Sequence, residues 1–392
     1  MDDDTRFLPP HDDYEPDFDD WEDERDYEAD ERDSKIASYR KFAREIILEM
    51  LLQHHAVVPL EMVARAGEYP WRNSDVRIDP HHLNYALATL ERSGTVVREP
   101  ALTRGGRNVV VLHLPVTAGR KRVIERASAR KRLLDARYLG WASGTERQEG
   151  LLGPTAERVV HRSILEAAPV PGFRLVNPVA GAAAEILGVA VHRGPLDNAL
   201  LYNPIGAAKP YVIPVEVKSL RPWIYPRDEK LYQLLYKAAM LADDLPDVHV
   251  LPVLVCRKAH FTLFRMAREL GFHVVDTMLV QWLPQLEAVQ EKHVIEVREG
   301  LGYVDIHIWD GTPNKYLVKQ FATVIPREAE RTAKRWSQVG RHFAEDYAWL
   351  LDHRADQELP ARRRRLNGLR ADVNALVRAL PADDRYEREG GW

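Results

Sequence analysis

In the first third of the chain, apolar residues recur every three or four positions, which is the spacing of one face of a helix. This pattern predicts a helix over residues 36–55 and a short helix over residues 60–66. A third helix should begin with Asp79 as its N-cap and Pro80 in its first turn, and should end at Gly94. Three helices are therefore expected before the first strand.

Two predicted strands, over residues 95–97 and 109–114, follow the third helix and are joined by a loop that contains Arg104 and Arg107. Three helices and a basic-tipped hairpin in this order resemble a winged helix-turn-helix domain, here spanning residues 35–118. The resemblance implies that the third helix and the hairpin loop contact DNA. The candidate contacts are His82, Asn84, Tyr85, Arg92, Arg104 and Arg107. Alternatively, the domain mediates dimerisation or packs against its neighbour.

A strongly basic helical stretch follows over residues 119–138, within a linker that is expected to extend to residue 149. Its eight Lys and Arg residues exceed its two carboxylates by six charges. This density suits contact with phosphates, and Arg130, Lys131 and Arg132 are the candidate contacts. The alternative is a plain solvated helix face.

In the second half of the chain, helical segments alternate with short apolar segments that are typical of buried strands. Helices are expected over residues 154–168, 228–243 and 261–270, and strands near residues 173–178, 186–191, 199–202, 211–219, 248–255 and 273–275. Strands that lie between helices favour an α/β fold with a mixed central sheet, in a domain that spans residues 150–298.

The remaining residues, 299–392, are expected to form a hairpin and then C-terminal helices. Apolar and polar residues alternate over residues 304–308 before an Asp-Gly turn, and a second strand is predicted over residues 316–325. Two helices should follow, over residues 327–353 and 361–380.

The 392 residues include a single cysteine, Cys256, which excludes an intramolecular disulfide and a cluster of thiolate metal ligands. The N-terminus is acidic where a secretory signal would be basic and then apolar, and no stretch approaches the ~18 consecutive apolar residues of a membrane span. These features predict a soluble protein of the reducing cytoplasm with no membrane partner.

The formal net charge of -4 conceals a strong asymmetry along the chain. Residues 1–34 carry 17 carboxylates and three arginines, a net charge of -14, which leaves +10 on the rest of the chain. A basic body suggests a polyanionic partner, and an acidic tail could cover that body or bind a partner protein through its aromatic residues. Alternatively, residues 1–34 are a disordered arm that only improves solubility.

Acidic and basic side chains are combined with an apolar strand pattern near the middle of the chain. Asp197 precedes one predicted strand, and Glu216 and Lys218 lie in the next. Because side chains alternate between the two faces of a strand, Glu216 and Lys218 should share one face while Val217 points into the core. Two carboxylates at neighbouring strand ends can bind one Mg²⁺ ion, which prefers oxygen ligands. In a chain this charged, Glu216 and Lys218 could also be an ordinary surface ion pair.

The segment Val-Ile-Pro-Val-Glu-Val-Lys at residues 212–218, with Asp197 separated from Glu216 by 18 residues, resembles the PD-(D/E)XK nuclease superfamily. The resemblance implies the restriction-endonuclease-like fold, a mixed-sheet core between helices. It also implies that Asp197, Glu216 and the Val217 carbonyl bind Mg²⁺, and that Lys218 positions or activates the attacking water.

Two further residues match the family on the helices that flank the sheet. Many members carry a Glu on the preceding helix, here Glu157, and several carry a Gln on the following helix, here Gln233. The position four residues after the Gln, a Tyr in some members, is Lys237 here, so the pattern of the exonuclease-like branch is not matched at that point. Arg227 and Lys230 near the start of the following helix are candidate phosphate contacts.

The expected function is a Mg²⁺-dependent endonuclease that hydrolyses phosphodiester bonds of double-stranded DNA, with Mn²⁺ as a substitute metal. The family resemblance implies a role in restriction or other anti-phage defence, and cleavage of both strands of a duplex would favour a homodimer. The alternatives are a DNA-binding regulator or scaffold with an inactive nuclease fold, a junction resolvase and an RNA nuclease. The sequence contains no phosphate-binding loop and no dinucleotide motif, so ATP-driven movement is not expected.

Overall fold

The structure is a computed structural model that describes residues 26–69, 77–103, 108–144, 149–353 and 359–381. This part of the chain forms a mixed α/β fold. Within these ranges no helix combines the length and the apolar character that are needed to cross a membrane.

The N-terminal region consists of helices and one antiparallel hairpin. Its elements are α1 (Asp26–His54), α2 (Pro59–Val63), α3 (Pro80–Arg92), β1 (Val97–Leu102), β2 (Asn108–His113) and α4 (Lys121–Ser143). A single π-helical turn over Ala64–Glu68 continues α2. The helices and the hairpin follow the predicted order, although β1 begins two residues later than predicted and is longer.

The start of α3 follows from its local sequence. The side chain of Asp79 accepts a hydrogen bond from the main-chain N–H of His81 at 2.7 Å, as an N-cap does, and Pro80 occupies the first helical position. Leu83 and Leu87 lie one turn apart and are buried against the preceding helices. The cap and the apolar stripe together fix both the start of α3 and the face that it buries.

The beginning of α1 corrects one prediction. Residues 26–34 were expected to be part of a disordered tail but belong to this helix. Carboxylates near the start of a helix interact favourably with the helix dipole, so an acidic segment can extend a helix toward its N-terminus. Residues 1–25 lie outside the described residues, and their disorder stays a prediction.

The second half of the chain alternates helices and strands. Its first elements are α5 (Leu152–Ala167), β3 (Phe173–Leu175), β4 (Glu185–Ile186), β5 (Val189–Ala190), β6 (Asn198–Tyr202), β7 (Tyr211–Lys218), α6 (Glu229–Asp244), β8 (His249–Val250), β9 (Val253–Cys256), α7 (Phe261–Leu270) and β10 (His273–Asp276). The later elements are β11 (Gln281–Leu283), α8 (Ala288–Leu301), β12 (Ile306–Ile308), α9 (Lys315–Lys319), α10 (Ile325–Gln338), α11 (Ala344–Asp352) and α12 (Leu359–Ala379).

A mixed sheet with the strand order β10-β9-β7-β6-β3 forms the centre of this region, and β8 also pairs with β7. β3, β6 and β7 are antiparallel neighbours, whereas β7, β9 and β10 run parallel. The strand predicted over residues 248–255 is divided into β8 and β9 by Leu251 and Pro252, because proline cannot donate a hydrogen bond to a sheet. Cys256, at the end of β9, lies opposite Lys218 of β7 and is buried.

Helices cover both faces of the sheet. α6, α7, α11 and α12 contribute to one apolar cluster with the sheet, and α5, α9 and α10 contribute to a second cluster on the opposite face. The even and odd positions of β7 divide between these clusters: Val212 belongs to the first, and Ile213 and Val215 belong to the second. The sheet is thus the middle layer of a three-layer arrangement.

The predicted hairpin over residues 304–325 is wrong. β12 pairs in parallel with β11, and the residues after the turn are helical. The side chain of Asn314 caps α9 by accepting a hydrogen bond from the N–H of Leu317 at 3.0 Å. Leu317, Phe321 and Ile325 recur every four residues and are all fully buried, so the apolar period of this segment is that of a helix.

Residues on both sides of the predicted boundary at residue 149 pack into one apolar cluster. Val111 of β2 and Tyr138 of α4 share this cluster with Val297 of α8 and with Tyr303. The N-terminal region therefore has a continuous apolar contact with elements that follow the sheet.

A buried ionic cluster adds a second connection between these regions. Arg257 donates hydrogen bonds to Glu68 through both Nη atoms, at 2.6 and 2.5 Å, and its Nε donates to Asp305 at 2.7 Å. Arg221 donates to Asp305 at 2.6 Å and to Glu68 at 3.3 Å. All four side chains are at most 2% exposed. Two arginines at the carboxyl ends of β7 and β9 are thus neutralised in part by a carboxylate of the N-terminal region.

Candidate active site

Glu216 and Lys218 lie at the carboxyl end of β7 on the face that α6 covers. Their Nζ and Oε2 atoms are 2.8 Å apart, as expected for side chains two residues apart in a strand. Val217 between them points to the opposite face and is 8% exposed. Glu216 is almost fully buried at 1% exposure, whereas Lys218 is 15% exposed, so Lys218 stands between the buried carboxylate and solvent.

Asp197 joins this pair from the turn before β6. Its Oδ2 accepts a hydrogen bond from the main-chain N–H of Val217 at 2.6 Å and lies 3.9 Å from Lys218 Nζ. The Asp197 side chain is 20% exposed. The antiparallel pairing of β6 with β7 therefore brings together two carboxylates that are separated by 18 intervening residues in the chain.

Lys237 is a member of this cluster that the sequence argument considered only as a mismatch. It lies on α6, four residues after Gln233, and its ammonium group is fully buried. Nζ donates to Glu216 Oε1 at 2.6 Å and to the carbonyl of Pro195 at 2.6 Å. The four-residue step from Gln233, which places both side chains on one helix face, is the signal that could have identified it.

Gln233 and Glu157 complete the surroundings of Lys218. The Gln233 amide oxygen accepts a hydrogen bond from Lys218 Nζ at 3.2 Å. Glu157 is half-buried on α5, and burial raises its pKa although the charge of Lys218 acts in the opposite direction. Four of the residues predicted from the sequence therefore surround the fifth, Lys218.

Burial and charge act against each other at this cluster. Burial and the neighbouring Glu216 raise the pKa of Asp197 to about 7, although Lys218 opposes this shift. For Glu216 burial would raise the pKa, but Lys218 and Lys237 more than offset it and hold the pKa below its usual value. The pKa of Lys218 is raised in spite of burial, because Glu216 and Asp197 stabilise its charged form. Lys218 is therefore a cation at neutral pH.

The donor set of the cluster suits a hard divalent cation in part. Asp197 Oδ1 accepts no hydrogen bond from the described residues, and the Val217 carbonyl faces the same side of β7 as its N–H, toward Asp197. Mg²⁺ commonly binds through one or two carboxylates and keeps several waters. Both oxygens of Glu216 are occupied by ammonium groups, so a metal ion would have to replace one of these contacts. Among the described residues no group of three or more His, Cys, Asp or Glu side chains is arranged to hold a metal ion.

The predicted DNA contacts on α3 divide into exposed and buried residues. Asn84, Tyr85 and Arg92 are exposed on one side of the helix. The prediction that His82 contacts DNA is wrong. His82 is 8% exposed and packs edge-on against Tyr39 at 5.0 Å between ring centroids, so it cannot reach a groove. The reason is its position next to Leu83, on the edge of the stripe that the helix buries.

The predicted phosphate contacts on α4 also differ in their exposure. Arg130 is exposed, but Lys131 is 6% exposed, with its Nζ bonded to Glu61 at 2.5 Å and to the carbonyl of Gly300 at 2.6 Å. Lys131 therefore connects α4 to α2 and to α8, and its ammonium group is not available to a phosphate. Arg132 is half-buried and pairs with Glu99 at 2.9 Å.

The two remaining candidates, Arg104 and Arg107, lie outside the described residues.

Comparison of this chain with known protein families, with curated proteins and with solved structures finds no match.

Proposed function

We propose that this chain is a Mg²⁺-dependent DNA endonuclease with a restriction-endonuclease-like core, and that Mn²⁺ can replace Mg²⁺. The observation that carries the proposal is the meeting of Asp197, Glu216 and Lys218 at the ends of two adjacent strands, with Gln233 on the covering helix. Such a cluster of buried, oppositely charged groups at a strand edge is typical of a catalytic site more than of a surface ion pair.

The metal ion would be held by Asp197, Glu216 and the Val217 carbonyl. When bound, it would supply a water of lowered pKa and neutralise charge on the scissile phosphate. Lys218, as a cation, would stabilise the negative charge that develops on the oxygens of the scissile phosphate. Gln233 holds Lys218 by a hydrogen bond, so the ammonium group is oriented before the substrate arrives.

We further propose that α1, α2, α3, β1 and β2 form a winged helix that contacts the DNA substrate. Support comes from the order of these elements and from the exposed side of α3 with Asn84, Tyr85 and Arg92. Exposed Arg130 on α4 adds a phosphate contact on the neighbouring helix.

Cleavage of plasmid and linear duplex in Mg²⁺, in Mn²⁺ and in a chelator tests the proposal. The wild-type chain should cut only with metal, and Asp197→Asn or Glu216→Gln should reduce the rate by about 1,000-fold or more, since several kcal/mol of transition-state stabilisation are removed. Asp247→Asn is the matched control, because Asp247 is 97% exposed and lies in the turn between α6 and β8. Wild-type activity in Asp197→Asn would overturn the assignment of the site.

One observation favours a second function, a DNA-binding regulator with an inactive nuclease fold. Glu216 is already neutralised by Lys218 and Lys237, so the cluster is stable without a metal ion. A chain that binds duplex but cleaves neither duplex, junction nor RNA with either metal would support this alternative.

A further inference from the structure

α6 carries a row of polar side chains along one face. Lys230, Gln233 and Lys237 are three and four residues apart, which places them above one another on the helix. Gln233 contacts Lys218, and Lys237 contacts Glu216, so the row runs along the proposed active site. Lys230 is one turn closer to the start of α6 and is exposed. It therefore lies at the solvent edge of the site.

Arg227, in the turn before α6, lies between this edge and α3. Its guanidinium is 4.8 Å from the centroid of the Tyr225 ring, and Tyr225 stacks on His260 at 4.5 Å. His260 Nε2 is 2.7 Å from Oδ2 of Asp79, the N-cap of α3. The Arg227 carbonyl accepts a hydrogen bond from Arg362 at 2.6 Å, which fixes the turn, while the Arg227 side chain is exposed.

The exposed side of α3 extends this basic surface away from the site. Tyr85 is exposed and lies under the guanidinium of Arg40, which is 3.8 Å from the ring centroid. Arg92 lies two turns further along the same side of the helix. Cationic side chains thus line the surface from α3, across Arg227 and Lys230, to the proposed active site.

Within the described part of the chain neither Arg227 nor Lys230 forms an ion pair, although Asp228 interacts electrostatically with both cations and Glu229 interacts with Lys230. Asp228 accepts the main-chain N–H of Tyr225 at 2.6 Å, and Asp79 pairs with His260. Asp228 and Glu229 are half-buried, whereas Arg227 and Lys230 are exposed, so the two cations are the groups of this segment that a polyanion in solution meets first.

We infer that Arg227 and Lys230 bind the phosphates of a single continuous duplex that lies on α3 and on the proposed active site at the same time. This inference rests on the proposed function and names how its substrate is held. Because α3 is tied to the sheet region through Asp79 and His260, the distance between the bound segment and the cut is fixed by the protein. Cleavage should therefore occur at a constant offset from the segment that α3 contacts.

The test is equilibrium binding of a fluorescently labelled duplex by the full chain in a chelator, measured by anisotropy over a series of salt concentrations. The double variant Arg227→Ser/Lys230→Ser should weaken binding roughly 10- to 100-fold at ~0.1 M salt and reduce the slope of log K against log salt by about two, because two phosphates are no longer neutralised. Lys315→Ser/Lys319→Ser is the matched control, because both lysines are exposed on α9, on the opposite face of the sheet from α6.

The outcomes separate the inference from the proposed function. Wild-type affinity and slope in the Arg227→Ser/Lys230→Ser chain, or no duplex binding by the wild type, would overturn the inference whatever the cleavage assay shows. If the variant binds more weakly and the wild-type chain binds duplex but never cuts it, the result supports binding of one continuous duplex across both surfaces and rejects the proposed nuclease activity. Arg227→Lys/Lys230→Arg keeps both charges and should retain the wild-type slope, which distinguishes charge from folding.

Discussion

Glu216 shows how a single buried charge depends on its neighbours. Its carboxylate is 1% exposed, and each oxygen is paired with a different ammonium group. An ionised carboxylate that is removed from water is stable only when such partners replace its hydration. Lys237 is therefore as necessary to the ionised state of Glu216 as Lys218 is, although Lys237 does not face solvent.

Replacement of Lys237 by Met should lower the free energy of unfolding by about 3 kcal/mol, because a buried ion pair is broken and one oxygen of Glu216 is left without its partner. Urea denaturation at neutral pH measures this decrease. The double variant Glu216→Gln/Lys237→Met should be destabilised by less than the sum of the single variants, since no unpaired charge remains. Additive effects would mean that Lys237 acts through packing alone. Lys319→Met, at an exposed position, should change stability by less than about 0.5 kcal/mol.

At the scale of secondary-structure elements, α4 has two faces that its composition does not reveal. Its excess of positive charge predicts that the helix contacts phosphates. In the structure Arg122, Arg126 and Arg130 are exposed, whereas Lys131 and Asp135 are buried against the rest of the protein. Net charge counts every side chain equally, and burial decides which of them a ligand can reach.

Asp135 gives α4 a pH-dependent contribution to stability. Burial and the nearby Glu61 raise its pKa to about 6. The value in the unfolded chain is about 3.9, so this group stabilises the fold when protonated, and that stability is lost as the pH rises through 6. Asp135→Asn should exceed the wild type by about 3 kcal/mol at pH 8, by about half of that at pH 5, and by little below about pH 4.

Chemical denaturation of Asp135→Asn at several pH values tests this expectation. Asp247→Asn, at an exposed position, should follow the wild type at every pH. A difference between Asp135→Asn and the wild type that does not change with pH would assign the effect to hydrogen bonding or packing.

The elements that the sequence identifies best are those in which one local signal dominates. α3 has a side-chain cap and a proline at its start, and β7 has an apolar pattern interrupted only by Glu216 and Lys218. The strand prediction over residues 316–325 is wrong because the β-branched and aromatic residues of this segment favour a strand in isolation. Only the four-residue spacing of its fully buried positions indicates the helix, and burial is set by tertiary packing.

At the scale of the whole molecule, contacts between distant residues lie beyond sequence reasoning. Asp197 and the β7 pair could be matched because a known motif specifies their spacing. Glu68 and Arg257 are 189 positions apart, and nothing local indicates that they meet. The same holds for Lys131 and Gly300, which are 169 positions apart. These pairs depend on the relative placement of complete elements.

Replacement of Arg257 by Met should lower the free energy of unfolding by about 3–5 kcal/mol, because Glu68 and Asp305 are left with only Arg221 as a cationic partner. Since the cluster joins the N-terminal region to the sheet, unfolding followed by circular dichroism and by tryptophan fluorescence should shift together. Arg174→Met, at an exposed position on β3, is the control and should change stability little. A transition that shifts for one probe only would show that the two regions unfold independently.

The position of Cys256 has a practical consequence for kinetics. It is the only cysteine of the chain, it is 1% exposed, and it stands opposite Lys218 in the neighbouring strand. Burial raises its pKa well above the usual value, so the thiol is protonated and shielded while the sheet is closed. A thiol-reactive dye can therefore modify the native chain only during rare openings that separate β9 from its surroundings. The labelling rate therefore reports how often β9 separates from β7, the strand that carries Lys218. No cysteine has to be introduced for this measurement.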